Sequence, residues 1–416
     1  MLPLPPRPAP DIRRPRQGAA GQASLLRRTR RPATIPRKRL QLRYTNQMID
    51  RLHPRAPSTL GSQVAIAAIG TALPPQRFTQ AEMYAWGIDR VPPSEAARAL
   101  YERVMSDASI ETRHLAVDDL RELLETDHER ILARFEHWAS NLSVAALNQA
   151  LQRAGVAAAE VDFLAVTTCT GYLCPGISSL VLEHAGLRPD VRCADMTGMG
   201  CGAAVPALER ACDFLAAHPD GTAAVVSTEI CTAAIFFGDA PELVVSNSIF
   251  GDGSAAAILR RTDRLPDAPG SLRPRLVGFR SLTLPAWREA LRFRTEGGHL
   301  RNVLSRDVPD RAGQACRRLV DDLLGDHGLS ADAIGHWVMH AGGRLVLEAV
   351  ERALELPGEA LDAARAVLRT AGNLSSPTVL FVLDEVHRRK PPRPGDLGII
   401  CAFGAGFAAH AALIEY

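Results

Sequence analysis

A chain of 416 residues that is 46% hydrophobic can bury a large core, and its length suggests two or three domain-sized units. No apolar run reaches the roughly 18 residues of a membrane span. The eight cysteines form neither CxxC pairs nor a His/Cys cluster at zinc-finger spacing. These features set aside a membrane protein, a disulfide scaffold and a metal module, and point to a cytoplasmic protein with reduced thiols.

The formal charge of +2 hides a split. Residues 1–47 carry many arginines, Arg13, Arg14, Arg27, Arg28, Arg30 and Arg31 among them, against a single acid, Asp11. Arg and Pro density without apolar periodicity reads as a disordered tail over residues 1–60. A nucleic-acid arm, a targeting segment or upstream sequence read from an early start codon would each look like this. Met48, just before the first periodic segment, favours the last. The only lysines are Lys38 and Lys390, so arginine richness is a habit of the whole chain, and no nucleic-acid partner is expected.

The folded part opens at Val64–Leu73, a short apolar strand expected to turn at Gly70. Helical patterns follow from Thr79 to Glu136, broken at Val91-Pro92-Pro93. Trp138–Ala154 is an amphipathic helix with Gly155 as its C-terminal cap. A buried strand, Phe163–Thr168, leads into the polar turn Cys169-Thr170-Gly171-Tyr172. The next stretch is DMTGMGC, Asp195–Cys201, in which glycines bracket one cysteine ahead of an Ala/Leu-rich helix over Ala203–Ala217. A cysteine at a helix start meets free backbone N–H groups and the positive end of the helix dipole, which predicts a lowered thiol pKa. A strand at Ala223–Thr228 and the segment Ser248–Leu259 close this half.

The chain then repeats itself. Gly155–Thr167 (GVAAAEVDFLAVT) aligns without a gap to Gly328–His340 (GLSADAIGHWVMH), and each follows an amphipathic helix and ends in a strand. Gly221–Ile230 matches Gly395–Gly404 more loosely. Two halves of alternating helix and strand imply an α/β fold with pseudo-twofold symmetry and sheets layered between helices. The boundary should fall in Asp263–Pro274, giving halves 61–265 and 266–416.

In such a fold the strand ends of both halves converge on one cleft. Its candidates are Cys201, His340 in HAGG, and Asn373 in AGNLSS. A thiolate can hold an acyl group as a thioester. A neutral His and an Asn amide can donate to one carbonyl oxygen as it becomes anionic, as when a malonyl thioester loses CO2. The set therefore suits Claisen-type carbon–carbon bond formation. A papain-like protease uses the same residue types, but the CGxCW context is missing and the duplicated α/β pattern argues against that fold.

Four motifs carry a family resemblance: TTCTGYLCPG (Thr167–Gly176), DMTGMGC (Asp195–Cys201), FGDGSAAA (Phe250–Ala257), and HAGG with GNLSS (His340–Gly343, Gly372–Ser376). In that order and spacing, residues from about 62 to the C-terminus resemble the type III polyketide synthases, the chalcone/stilbene synthase family of the thiolase fold. The wording GMGC, EICTAA and NSIFGDGSAA is closest to the bacterial dihydroxyphenylacetyl-CoA synthase branch, which resembles a malonyl-only condenser.

The resemblance implies that Cys201 carries the growing chain, while His340 and Asn373 drive decarboxylation of malonyl-CoA and stabilise the oxyanion. It implies that Thr170 and Ser375 line the cavity and that Phe279 is a gatekeeper. Either Ile235 or Phe236 is the other gatekeeper. Cys174 would reach across a homodimer interface, and Arg306 would contact CoA phosphates. The substrates would be malonyl-CoA and an acyl-CoA starter, malonyl-CoA itself included, with no metal or redox cofactor. Two features depart from the family: the helix around Tyr101–Ala108 keeps Arg103 but lacks the usual basic set, and Ala405 stands where the family usually has Pro. A ketoacyl-ACP synthase III, with a similar Cys-His-Asn set and an ACP-bound extender, is the alternative. A non-catalytic thiolase-like partner would be expected to have lost the nucleophile.

Overall fold

Apolar β-branched runs separated by amphipathic helices give the chain its alternation. The computed structural model describes residues 63–265 and 272–416. The first half begins with strand β1 (Val64–Ala72), β2 (Arg77–Thr79), helices α1 (Gln80–Arg90) and α2 (Glu95–Met105), and β3 (Thr112–His114). It continues through α3 (His128–Ala154), β4 (Phe163–Thr168), α4 (Ile177–His184), β5 (Arg192–Thr197) and α5 (Ala204–Ala217). It closes with β6 (Ala223–Glu229), α6 (Pro241–Ile249) and β7 (Gly253–Arg261). The second half holds β8 (Arg275–Thr283), the hairpin β9 (Leu291–Glu296) and β10 (His299–Leu304), α7 (Val308–Asp326) and β11 (Ile334–Met339). After these come α8 (Arg344–Leu354), α9 (Asp362–Ala371), α10 (Thr378–Arg389), β12 (Leu397–Gly404) and β13 (Ala408–Glu415). The Arg-rich tail and residues 266–271 of the inter-half connection lie outside the described residues.

Among the described residues the main sheet has nine strands in the order β11-β12-β13-β8-β1-β7-β6-β4-β5. Its symmetry is legible in strand direction. Outward from β8 the pairings run antiparallel, antiparallel, parallel (β8–β13–β12–β11), and outward from β1 they do the same (β1–β7–β6–β4). The two runs join at one register pair, Ala65–Arg275. Its two faces are buried differently. Ala165, Val225 and Ala257 pack in one cluster with Leu208, Ala211 and Leu215 of α5, while Leu164, Val166, Val226 and Ile258 pack in another with Leu142, Leu147 and Leu151 of α3. That alternation follows from the two-residue period of a strand buried on both sides.

Helix α3 starts earlier than its sequence pattern suggests, because the Asp127 carboxylate caps it by accepting from the backbone N–H of Glu129 at 2.9 Å. The predicted turn at Gly70 is not one, since β1 runs straight through it to Ala72. The glycine serves the helix instead: a Cβ there would lie 2.1 Å from the Ala146 carbonyl oxygen and 2.5 Å from the Ala150 nitrogen, both backbone atoms of α3. Gly70→Ala should therefore push α3 off the sheet and cost about 2 kcal/mol or more, read as a drop in the urea midpoint. An unchanged midpoint would mean that α3 yields freely at this contact.

Candidate active site

Cys201 sits in a single 3-10 turn, Gly200–Gly202, immediately before α5. Gly200 has φ +67°, and a Cβ on it would come 2.4 Å from the Ala405 nitrogen, so the nucleophile turn is pressed against the loop that follows β12. Only glycine allows both the dihedral and the approach. Burial then dominates the thiol. It pushes the Cys201 pKa up to about 12, with the buried Glu229 carboxylate adding to the rise and the Ser375 hydroxyl opposing it. The lowered pKa expected from the helix start is opposed by desolvation of this half-buried thiol. In the free enzyme Cys201 is a neutral thiol.

His340 follows the C-terminal end of β11, held by its backbone N–H donating to the Cys401 carbonyl at 2.9 Å. The ring is 2% exposed, lies edge-on to Phe403 at 5.5 Å between centroids, and leaves Nδ1 without a partner among the described residues. Burial alone drives its pKa down to about 3, so the imidazole is neutral at any working pH.

Asn373 is joined by its backbone to the strand-like segment at Phe250, with its N–H donating to the Ile249 carbonyl at 2.8 Å. The Ser375 backbone N–H donates to Oδ1 at 2.8 Å, which assigns the amide orientation. Nδ2 donates to the Gly342 carbonyl at 3.2 Å. One amide hydrogen therefore remains uncommitted.

A cavity of about 620 Å3 opens onto Cys201. Thr170, Ile235 and Ser375 are among the residues that line it. His340 and Asn373 are buried and not among its lining residues, and Asn373 is connected to the wall by Ser375. Phe236 is not in the wall either. Its ring lies under the Arg301 guanidinium at 5.7 Å, whereas Ile235 is in the cavity wall.

Phe279 is also corrected. It stands on β8 opposite Ala412, half-buried against the core, and is not among the residues lining the cavity. The aromatic walls come from Phe250, at the start of FGDG, and from Phe293 on the β9–β10 hairpin, with Asn302 from its second strand. Arg306 is exposed in the turn between β10 and α7, away from the lining. Cys174 is exposed on the loop after β4, next to Tyr172, which is 70% exposed.

Two buried carboxylates escaped sequence reading. Glu229, the last residue of β6, is fully buried and organises the site. One oxygen accepts from the Cys169 N–H and the Thr170 hydroxyl, each at 2.9 Å, and the other from the Ser376 hydroxyl at 2.6 Å. Burial raises its pKa. The signal was present as an acid ending the strand Ala223–Glu229, whose other residues are only Ala, Val, Ser and Thr. Asp252, in FGDG, accepts from the backbone N–H and hydroxyl of Thr232 at 2.9 and 2.8 Å and so fixes the turn that carries Ile235. Among the described residues no group of three His, Cys, Asp or Glu side chains could hold a metal ion, and all eight cysteines are free.

A duplicated α/β fold that joins a cysteine turn to an asparagine loop through Ser375, and that loop to the segment after a strand-end histidine through the Asn373–Gly342 hydrogen bond, has the architecture of a thiolase-type condensing enzyme. Residues 94–325 match the family model described as FAE1/type III polyketide synthase-like protein, and residues 282–415 match that of the chalcone and stilbene synthase C-terminal domain. The chain is 34% identical over 368 residues to the 1,3,6,8-tetrahydroxynaphthalene synthase of Streptomyces peucetius, covering 87% of this chain and 97% of that one. It is 31% identical to the 3,5-dihydroxyphenylacetyl-CoA synthase of Streptomyces toyocaensis, covering 84% and 90%. The crystal structure of the tetrahydroxynaphthalene synthase of Streptomyces coelicolor superposes with a TM-score of 0.77 at 25% identity, over 85% of this chain and 99% of that one. PKS-I of the brown alga Ectocarpus siliculosus gives 0.78 at 25% identity, over 85% and 98%.

The chain belongs to the type III polyketide synthases. It is an acyltransferase that extends an acyl unit by iterative decarboxylative condensation of malonyl-CoA and cyclises the product. The ketoacyl-ACP synthase III alternative is not retained.

Proposed function

We propose that Cys201 is the acyl carrier of this synthase and that His340 and Asn373 form its oxyanion site. The thiol attacks the starter thioester, the bond to CoA sulfur breaks, and the thiol proton leaves with CoA. Malonyl-CoA then loses CO2, its enolate oxygen held by the free Asn373 amide hydrogen and the neutral His340 ring. The enolate carbon attacks the Cys201 thioester, returning the lengthened chain to CoA. The observation that carries this reading is the pairing of an uncommitted Asn373 N–H with an imidazole kept neutral by burial. Both are donors that do not remove a proton from carbon.

The starter is an acyl-CoA or malonyl-CoA itself, CoA thioesters are the only small molecules required, and no cofactor takes part. The setting is the cytoplasm, in keeping with eight free thiols; no helix among the described residues is long and apolar enough to cross a membrane. The enzyme works as a homodimer, a reading supported by the exposed Tyr172 and Cys174 on one loop. Purified protein given malonyl-CoA alone, then with a panel of acyl-CoA starters, should release polyketides visible by mass spectrometry. Turnover of malonyl-ACP alone would overturn the reading.

The pH response separates His340 from an ordinary imidazole. In Cys201→Ala, decarboxylation of malonyl-CoA should stay level from about pH 5 to about pH 8, because His340 does not protonate until about 3. A step centred near about 6.5, where a free imidazole titrates, would show that the ring charges in the working site.

A further inference from the structure

Helix α6 ends against the segment that carries Asn373, and the carbonyls at that end are all paired. Those of Asn247 and Phe250 accept from Arg113 Nη1 at 2.7 and 2.9 Å. That of Ser248 accepts from Gln80 Nε2 at 2.8 Å, and that of Ile249 from the Asn373 backbone N–H, also at 2.8 Å. The Gly251 N–H donates back to the Asn373 carbonyl at 3.1 Å. Carbonyls at a helix C-terminus have no donor within the helix, and a buried one left unpaired is costly. Here two side chains from other elements, Arg113 and Gln80, supply the donors for all but Ile249.

The two side chains also hold each other. Gln80, the first residue of α1, is buried, and its Oε1 accepts from Arg113 Nε at 2.9 Å. Both ends of the amide are thus assigned by their bonds. Arg113, on the short strand β3, is buried as well; burial lowers its pKa to about 10, with the buried Asp252 carboxylate opposing the shift, so it remains a charged donor at neutral pH. Charged donors make the stronger hydrogen bonds. The Arg113 stem also reaches the Asn373 loop. A Cβ on Gly372 would lie 2.7 Å from the Ile249 carbonyl oxygen and 3.1 Å from Arg113 Cγ, so the residue before Asn373 is pressed between the helix end and that stem.

From this chain of contacts we infer that Gln80 and Arg113 are positioning residues for the oxyanion site: they fix the end of α6, and the end of α6 fixes the Asn373 amide. The inference rests on the proposal that Asn373 stabilises the enolate oxygen. In this role neither side chain touches substrate. A donor displaced by about 1 Å can lose up to about a hundredfold in rate, so a clamp remote from the reacting atoms still governs turnover.

Gln80→Met tests this, because it keeps the side-chain length and removes both bonds. Release of CO2 from malonyl-CoA should show kcat lower by about tenfold, with KM within about twofold of wild type. Alkylation of Cys201 by iodoacetamide needs no oxyanion donor and should stay within about twofold. In the Asn373→Ala background the same change should cost less than about twofold, since its effect passes through an amide already removed. Arg113→Lys keeps the charge but not the fork that spans two carbonyls; it should give the same pattern, and it carries the test if Gln80→Met does not fold. An unchanged kcat, a parallel fall of CO2 release and alkylation, or a full loss added to that of Asn373→Ala would overturn the inference. Wild-type CO2 release by Asn373→Ala alone would instead count against the oxyanion role of Asn373.

Discussion

Cys201→Ala should abolish chain extension, by at least about a thousandfold, while malonyl-CoA decarboxylation continues within about tenfold of wild type. The two activities separate because they use different atoms. Extension needs sulfur to hold the acyl chain, whereas loss of CO2 needs only donors for the enolate oxygen, and those come from β11 and from the loop before α10. The change is small in volume and lies in a turn fixed by backbone contacts to Ala405, so the fold should tolerate it. Acetyl-CoA release and polyketide product, measured in the same reaction, check both halves of the statement. Robust polyketide formation by the variant would remove Cys201 from the mechanism. The raised thiol pKa adds a corollary: alkylation of the free wild-type enzyme should climb with pH beyond 8 and show no plateau near neutrality.

Asn373→Asp should be the more damaging change at the oxyanion site, lowering the rate of decarboxylation by about a hundredfold or more. It keeps the oxygen that accepts from the Ser375 N–H, so the loop geometry at Ser375 survives. What it removes is the free amide hydrogen, and it puts in that place an anion facing both the Gly342 carbonyl and the developing enolate. Repulsion should act on the transition state more than on bound malonyl-CoA, so kcat should fall with little change in KM. Asn373→Ala, which deletes the donor without adding charge, should fall between wild type and Asp. An Asp variant with wild-type turnover would show that Asn373 only shapes its loop.

The local chemistry of this chain was written in its sequence. Glycines around Cys201, a histidine at the end of an apolar strand and an asparagine ahead of Ser375-Ser376 each need only short-range context, and the Gly155–Thr167 and Gly328–His340 repeat exposed the paired halves. Helix and strand periods survive in one dimension because they are properties of neighbours along the chain. Cavity walls are not. Phe279 and Phe293 are both aromatic residues on strands. Only the sheet order sets the first half-buried against the core, and only the β9–β10 hairpin brings the second into the cavity wall. Whether Ile235 or Phe236 faces inward depends on Asp252, held in the fold against Thr232. The charge states were equally hidden. The Cys201 turn predicts an acidified thiol, yet burial and the Glu229 carboxylate raise its pKa against the pull of Ser375, and burial alone holds His340 uncharged. Residue identity and spacing determined which groups could react; tertiary burial, which sets the cost of every charge, decided the state in which they wait.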